Sequence, residues 1–338
     1  MSTVQLPPPG AVQKILIWHQ GALGDLLLAG PALSALRRHY PRARITALGH
    51  PERWSLLAPT LFLDAVWDSS GAAWAPLFAP DSPLPPVLQS RLGQFQLALI
   101  FSPLPHPTLP ARLAQAGIAA VHWLPSWPTS GPEPVGAFLA GHLARLGVRV
   151  KNAPFRLIIG EDWQDQAPRL SGPGPFLAVS PGSSHASKNW PLAYYYEVTR
   201  ALAWERGLRV VWLTGPGEEA LLPYLQGLAT AQDHLLWANL PLTAVAAALA
   251  RCRLYLGGDS GLTHLAAAVG VPGVLALFGP TDPRIWAPPG KGVRVLRAPC
   301  CRAPCASGRE ITCPDPVCME NLTPDLVLQT AGDLLRRG

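Results

Sequence analysis

The chain has 338 residues, 49% of them apolar and 14% charged, with a formal net charge of +6. That length suggests two domains with separate cores, and the apolar content excludes an intrinsically disordered protein. The positive excess forms no Lys/Arg block, so nucleic acid is not an expected partner; it suits small phosphorylated substrates, or peripheral contact with an anionic inner-membrane surface.

In chain order, MSTVQLPPPG has neither a basic flank nor an apolar stretch, so no secretory leader is expected and the chain reads as cytoplasmic. No apolar run approaches the roughly 20 residues of a membrane span. KILIWHQ (14–20) is strand-like, and 26–40 is helical with a kink or restart at Gly30–Pro31. RITALGH (44–50), DAVWD (64–68) and QLALIFS (96–102) read as strands, followed by a helix over 109–117, a strand over 120–124 and a helix over 133–148. Residues 149–175 are rich in Pro and Gly and read as a linker.

Alternation then resumes. Strands are expected at 176–182, 208–215, 234–239, 254–258, 273–279 and 293–299. The intervening helices fall at 194–207, 218–229, 242–252 and near 261, and an amphipathic stretch closes the chain at 325–337. The pattern predicts an α/β chain of two doubly wound, Rossmann-like domains, 1–160 and 161–324, facing a central cleft. The closing helix, 325–338, is a candidate to pack back on the first domain.

Polar motifs recur where strands hand over to helices. HQGALGDLL (19–27) places Asp25 at such a turn, either as a helix cap or as a general base or substrate ligand. It lacks the GK[ST] of a nucleotide P-loop and the third Gly of a dinucleotide fingerprint. PGSSHASKNWP (181–191) offers Ser183, Ser184 and Lys188 ahead of a helix begun by Pro191: an anion site, or a solvated loop. TGPGEE (214–219) puts Glu218 and Glu219 at a helix start, which the helix dipole alone accounts for; ribose recognition is the sharper reading. GGDSGLTHLAAAVG (257–270) sets Asp259, Ser260, Thr263 and His264 around a short Ala-rich helix, as an ordinary cap or as a diphosphate cradle. Three such loops leaving one sheet on the same edge argue jointly for one anionic ligand.

ILIWHQGALGDLLLAGPALSALRRHYP, VSPGSSHASKNWP and LGGDSGLTHLAAAVGVPGVLALFGPTDP, in this order and spacing across residues 15–286, resemble the family 9 glycosyltransferases, typified by ADP-heptose–lipopolysaccharide heptosyltransferases. The resemblance implies a GT-B architecture and inverting transfer from a nucleotide-diphosphate sugar, with no cofactor or catalytic metal. It puts the base on Asp25, diphosphate contacts on Ser183, Ser184, Lys188, Ser260, Gly261, Leu262 and Thr263, and the ribose carboxylate on Glu218. Asp259 and His264 match the motif without a defined role; for His264 the choice is between touching the ligand and supporting the loop. Many members carry Arg or Lys where His19 stands; a neutral His19 would hold a phosphorylated acceptor weakly.

Five of six cysteines fall in one segment: Cys300, Cys301, Cys305, Cys313 and Cys318. The spacing lacks the C-x-x-C pairs of most zinc ribbons. Reduced thiols packing a loop are one reading; structural zinc on Cys301, Cys305, Cys313 and Cys318, or a disulfide, are the others. Cys252 reads as a core residue.

The expectation is a heptosyltransferase that uses a nucleotide-sugar donor, ADP-heptose, and a saccharide or glycolipid acceptor of the lipopolysaccharide core or a related kind. The rivals are a nucleotide-sugar epimerase or hydrolase of similar fold, and a catalytically silent nucleotide-sugar binding protein.

Overall fold

The structure, a computed structural model, describes residues 5–151, 154–168, 174–297, 305–307, 310–311 and 317–337. The chain divides into two compact units, Met1–Ile158 and Ile159–Gly338. Among the described residues no helix is long and apolar enough to cross a membrane.

The first unit holds strands β1 (Lys14–His19), β2 (Arg44–Gly49), β3 (Ala65–Asp68), β4 (Leu97–Ser102) and β5 (Ala120–Pro125). Its helices are α1 (Leu23–Leu28), α2 (Gly30–His39), α3 (Pro51–Ser55), α4 (Ala58–Leu61), α5 (Pro86–Leu92), α6 (Leu109–Gln115) and α7 (Val135–Arg145). The strands form one sheet in the order β3-β2-β1-β4-β5, every pair parallel. Strand order therefore reverses between β1 and β4, where a doubly wound sheet opens its ligand crevice. The expected break at Gly30–Pro31 is real: Pro31 cannot donate to the helix ladder, and α1 gives way to α2 at Ala29. β1 reads as a continuous apolar run because both its faces are covered; Leu16 and Trp18 pack with Leu48, Trp74, Leu88 and Ile100 on one of them.

The second unit holds β6 (Phe176–Ser180), β7 (Arg209–Thr214), β8 (Leu235–Ala238), β9 (Leu254–Gly258), β10 (Gly273–Phe278) and β11 (Val293–Arg297). Around them run α8 (Glu161–Gln166), α9 (Leu192–Arg206), α10 (Leu222–Gln232), α11 (Leu242–Leu249), α12 (Gly261–Val269), α13 (Pro283–Trp286), α14 (Val317–Glu320) and α15 (Pro324–Arg337). The sheet is parallel throughout, in the order β11-β10-β9-β6-β7-β8. Numbered within the unit this is the nucleotide-binding order 6-5-4-1-2-3, and its switch point lies between β6 and β9.

Two sequence expectations need correction. The Pro/Gly-rich stretch 149–175 is not a plain linker. Phe155 and Leu157 are buried in the first unit, and α8 anchors on the second through buried Trp163 and its packing on α11. Composition flagged the turns but not the apolar anchors between them. The closing helix α15, expected against the first domain, instead lays its apolar face on the second sheet. Val327, Ala331 and Leu334 share a core with Leu254, Leu256, Leu275 and Leu277, and α15 packs on α9. Helical spacing identifies that stripe without saying which sheet receives it.

Candidate active site

At the switch point of the second sheet, the turns after β6 and β9 lie side by side. Lys188, at the end of a short 3-10 turn over Ala186–Lys188, reaches Asp259 with Nζ 2.8 Å from Oδ2. Thr281, in the turn after β10, donates its hydroxyl to the same Asp259 oxygen at 2.8 Å. Asp259 is buried, so its charge depends on these two donors. His264 lies in the second turn of α12, buried; that burial pushes its imidazole down to about 4, against the pull of Asp259. It is therefore neutral at physiological pH.

Ser260 occupies the N-cap position of α12 with extended backbone, yet its side chain makes no capping bond. The hydroxyl sits 3.4 Å from Thr263 Oγ1 instead. Thr263 Oγ1 donates to the Gly258 carbonyl at 2.5 Å, so it accepts from the Tyr255 hydroxyl 3.1 Å away. The buried Tyr255–Thr263 pair thus fixes the helix start from beneath, while Ser260, Gly261 and Leu262 remain partly exposed. This differs from an ordinary capped helix. The first-turn N–H groups receive no side-chain cap, and the helix dipole makes that end attractive to an anion.

The turn after β6 is internally braced. Ser183 Oγ lies within hydrogen-bond distance of the His185 carbonyl (2.9 Å) and of Asn189 Oδ1 (2.8 Å), and Ser184 is exposed at the tip. Glu218, after β7, accepts the Gly215 N–H at 2.9 Å. Its other oxygen lies against Gly182, where a Cβ would stand 1.8 Å from it; only glycine permits this approach. Burial raises the Glu218 carboxyl above its ordinary value, opposed by the Gly215 bond. The structure therefore brings Lys188, Asp259, Ser260, Gly261, Leu262, Thr263 and His264 into one constellation, with Glu218 joined to it through Gly182. The acidic residue is a bridge between two turns as well as a helix-start charge.

Sequence reasoning missed Thr281 and Tyr255. Thr281 stands inside FGPTDP, but nothing local ties it to Asp259, 22 residues earlier. Tyr255 reads as one more apolar strand residue.

In the first unit, Asp25 is the third residue of α1 rather than its N-cap. Its Oδ2 accepts the Ala22 N–H at 2.8 Å, so it braces the turn from inside the helix. His19 is buried at the end of β1, its Nδ1 accepting the Gly21 N–H at 3.2 Å, and its ring meets Trp54 and Phe101. A Cβ on Gly21 would lie 2.6 Å from His19 Cε1 and 2.9 Å from Asp25 Oδ2. The absent side chain is what lets the two sit on one turn.

Among the described residues no cluster of three or more His, Cys, Asp or Glu has metal-binding geometry. Cys300, Cys301 and Cys313 lie outside the described residues, so the zinc reading falls outside them as well. Cys318 is buried beside Met319 in the second core. Cys252 is buried, its thiol raised to about 12 by that burial, as a core cysteine should be.

Two parallel doubly wound units of this kind make a GT-B-type fold. The chain belongs to glycosyltransferase family 9 (heptosyltransferase), whose family model matches residues 144–314. It is 26% identical over 285 residues to lipopolysaccharide heptosyltransferase 3 of Escherichia coli K12, covering 78% of this chain and 82% of that protein. Lipopolysaccharide heptosyltransferase 1 of Pseudomonas aeruginosa is 33% identical over 138 residues; the match spans 39% of this chain and 38% of the relative's length. The solved structure of E. coli heptosyltransferase WaaC with ADP-2-deoxy-2-fluoro heptose superposes with a TM-score of 0.67 at 18% identity, covering 95% of this chain and 99% of that one.

Proposed function

We propose that this enzyme transfers heptose from ADP-heptose to a hydroxyl of a lipopolysaccharide-core or related saccharide, with inversion and without a catalytic metal. The observation that carries the reading is the Lys188–Asp259 pair beside the uncapped start of α12, at the switch point of the second sheet. A lysine, hydroxyls and a helix N-terminus together suit a diphosphate. In this reading Lys188, Ser183, Ser184, Ser260, Gly261, Leu262 and Thr263 hold the diphosphate, and Glu218 accepts the ribose hydroxyls. Asp259 aims Lys188, and His264 supports the turn as a neutral group. The named ligand of WaaC and the lipopolysaccharide relatives support the choice of sugar and acceptor.

Asp25 is the general base in the same reading. It takes the proton of the acceptor hydroxyl as that oxygen bonds to the anomeric carbon, and the bond from carbon to the diphosphate oxygen breaks with its electron pair leaving on ADP. Lys188 and the α12 N–H groups stabilise that growing charge, where preorganised donors act most strongly.

The test incubates the protein with ADP-heptose, with and without a lipopolysaccharide-core acceptor, and follows ADP. Release that requires the acceptor is expected. Release without acceptor would indicate a hydrolase, loss of ADP-heptose to an isomer without ADP release an epimerase, and binding without any conversion a silent protein. Transfer is expected to survive a chelator.

A further inference from the structure

The turn that carries Asp25 is held from the turn beside it. β1 and β2 run side by side with His19 opposite Gly49, so the turns that follow them emerge together. The turn after β2 opens α3 at once, and two consecutive residues of that short helix reach back to the turn after β1. Trp54, fully buried, donates its indole N–H to the His19 carbonyl at 3.3 Å. Arg53 donates from Nη1 to the Gly21 carbonyl at 2.9 Å. Gly49 permits the approach: a Cβ there would stand 2.3 Å from the His19 carbonyl oxygen and 2.4 Å from Trp54 Nε1.

The Arg53 bond falls on one particular peptide group. The C=O of Gly21 and the N–H of Ala22 belong to a single planar unit. Its carbonyl end accepts from Arg53, and its N–H end donates to Asp25 Oδ2 at 2.8 Å. Arg53 and the Asp25 carboxylate therefore hold opposite ends of the same plane. If that plane turned, the N–H would swing away from the carboxylate. The turn needs such a hold, because His19 and Asp25 leave no room for a side chain at Gly21, and glycine restrains the backbone least. A carbonyl that accepts a hydrogen bond also polarises its own amide, so the N–H donates more strongly. A basic residue in the last turn of a helix is favoured by the helix dipole whatever it touches. Arg53 occupies that position in α3, yet its bond goes to a carbonyl 32 residues away and not to its own helix.

We infer that Arg53 is a positioning residue for the general base: through the Gly21–Ala22 peptide it sets the direction of the Asp25 carboxylate, and it acts on turnover by that route rather than by contact with the reacting atoms. The inference rests on the reading of Asp25 as the base. A base must be held close to the geometry of proton transfer, and a displacement of about 1 Å can cost roughly 100-fold in rate.

The test is a double-mutant cycle in the transfer assay with ADP-heptose and the lipopolysaccharide-core acceptor, joined to NMR of the Ala22 amide, which needs no substrate. Arg53→Met removes the donors at similar length and is expected to lower kcat by about 10–100-fold. Acceptor KM and ADP affinity should stay within about twofold. Arg53→Lys, which keeps a donor, should recover most of the loss. In an Asp25→Asn background, Arg53→Met should cost less than about twofold more, because residues that act as a unit are not additive. The Ala22 amide proton should move upfield and exchange faster in Arg53→Met, and lie nearer to wild type in Arg53→Lys. Arg53 is half-buried on a surface helix, so the variants are expected to fold; Arg53→Ala is measured beside them, with melting curves, so that a folding failure of Arg53→Met leaves a second variant to decide. An unaltered kcat, an unmoved Ala22 amide, equal losses in both backgrounds, or a rise in acceptor KM at constant kcat overturns the inference alone. Full kcat in the Asp25→Asn single variant would sink the base reading and this inference together.

Discussion

Lys188 Nζ and Asp259 Oδ2 meet at 2.8 Å, with both side chains largely withdrawn from solvent, and Thr281 donates to the same carboxylate oxygen. The pair joins the turn after β6 to the turn after β9, so the cation is held beside the start of α12 before any ligand arrives. A lysine so placed should act more on the charge of a departing diphosphate than on the nucleoside. Lys188→Ala is expected to weaken ADP and to slow transfer, while adenosine binding changes little. Charge-assisted hydrogen bonds are worth about 1.5–3 kcal/mol, so a loss of roughly 10–100-fold in ADP affinity is expected. Calorimetric titration of ADP and adenosine decides it; equal ADP affinity in variant and wild type removes Lys188 from the site.

Asp25→Asn should abolish most turnover, by about 10²–10⁴-fold, and leave ADP affinity unaltered. The substitution is informative because of where the carboxylate sits. An asparagine oxygen can still accept the Ala22 N–H, so the turn before α1 keeps its brace. A variant that folds and retains full kcat would show that Asp25 is only a structural brace.

His264 makes a pH prediction. Burial holds its folded-state value at about 4, below the ordinary 6.5. Between these values the unfolded chain binds the proton and the folded one does not. Stability is therefore complete above pH 6.5, falls as pH drops towards 4, and loses nothing further from this group below that. The gap corresponds to about 3 kcal/mol. His122, His142 and His234 are also lowered by burial and add the same sign of slope. The readout is therefore the difference between wild type and His264→Asn in urea midpoints from pH 7.5 to 4.5. Parallel curves would show that His264 is not held neutral.

Most of the strands and the crowded turns were legible in the sequence, because parallel strands buried on both faces announce themselves as apolar runs ended by Gly, Ser or Asp. KILIWHQ, FLAVSPG and LYLGG each end where a polar turn begins. Side-chain pairing across sequence distance was not legible. The pairing of β6 with β9 brings Lys188 to Asp259, and the pairing of β9 with β10 brings Thr281 to it. Local pattern cannot state them, because spacing along one element says nothing about the neighbour across the sheet. Asp25 shows the reverse limit. Its turn was clear, but helix capping and proton transfer ask for the same residue in the same place, and the observed bond to Ala22 is compatible with both.

The start of α12 yields a ranked prediction. If its uncapped first turn is a diphosphate cradle, what matters is close approach to the backbone at Gly261 and a fixed helix start beneath it. Gly261 is already helical and partly exposed, so a valine there adds bulk on the ligand side without forcing an unfavourable backbone. Gly261→Val is expected to lose ADP binding most. Tyr255→Phe removes the buried hydroxyl that donates to Thr263, leaving Thr263 to hold the Gly258 carbonyl alone. It should weaken ADP by an intermediate amount and lower Tm, since a buried hydrogen bond is worth about 1 kcal/mol. Ser260→Ala should be mildest in stability, because that side chain makes no capping bond, and should cost ADP no more than one neutral hydrogen bond, about 0.5–1.5 kcal/mol. An ordinary helix cap predicts otherwise: all three changes would act through Tm, with ADP affinity of the folded protein unaltered. Titrating ADP into each variant, with melting curves alongside, separates the two. A folded Gly261→Val protein that binds ADP as wild type does would remove the cradle, and with it the placement of the donor at this edge of the second sheet.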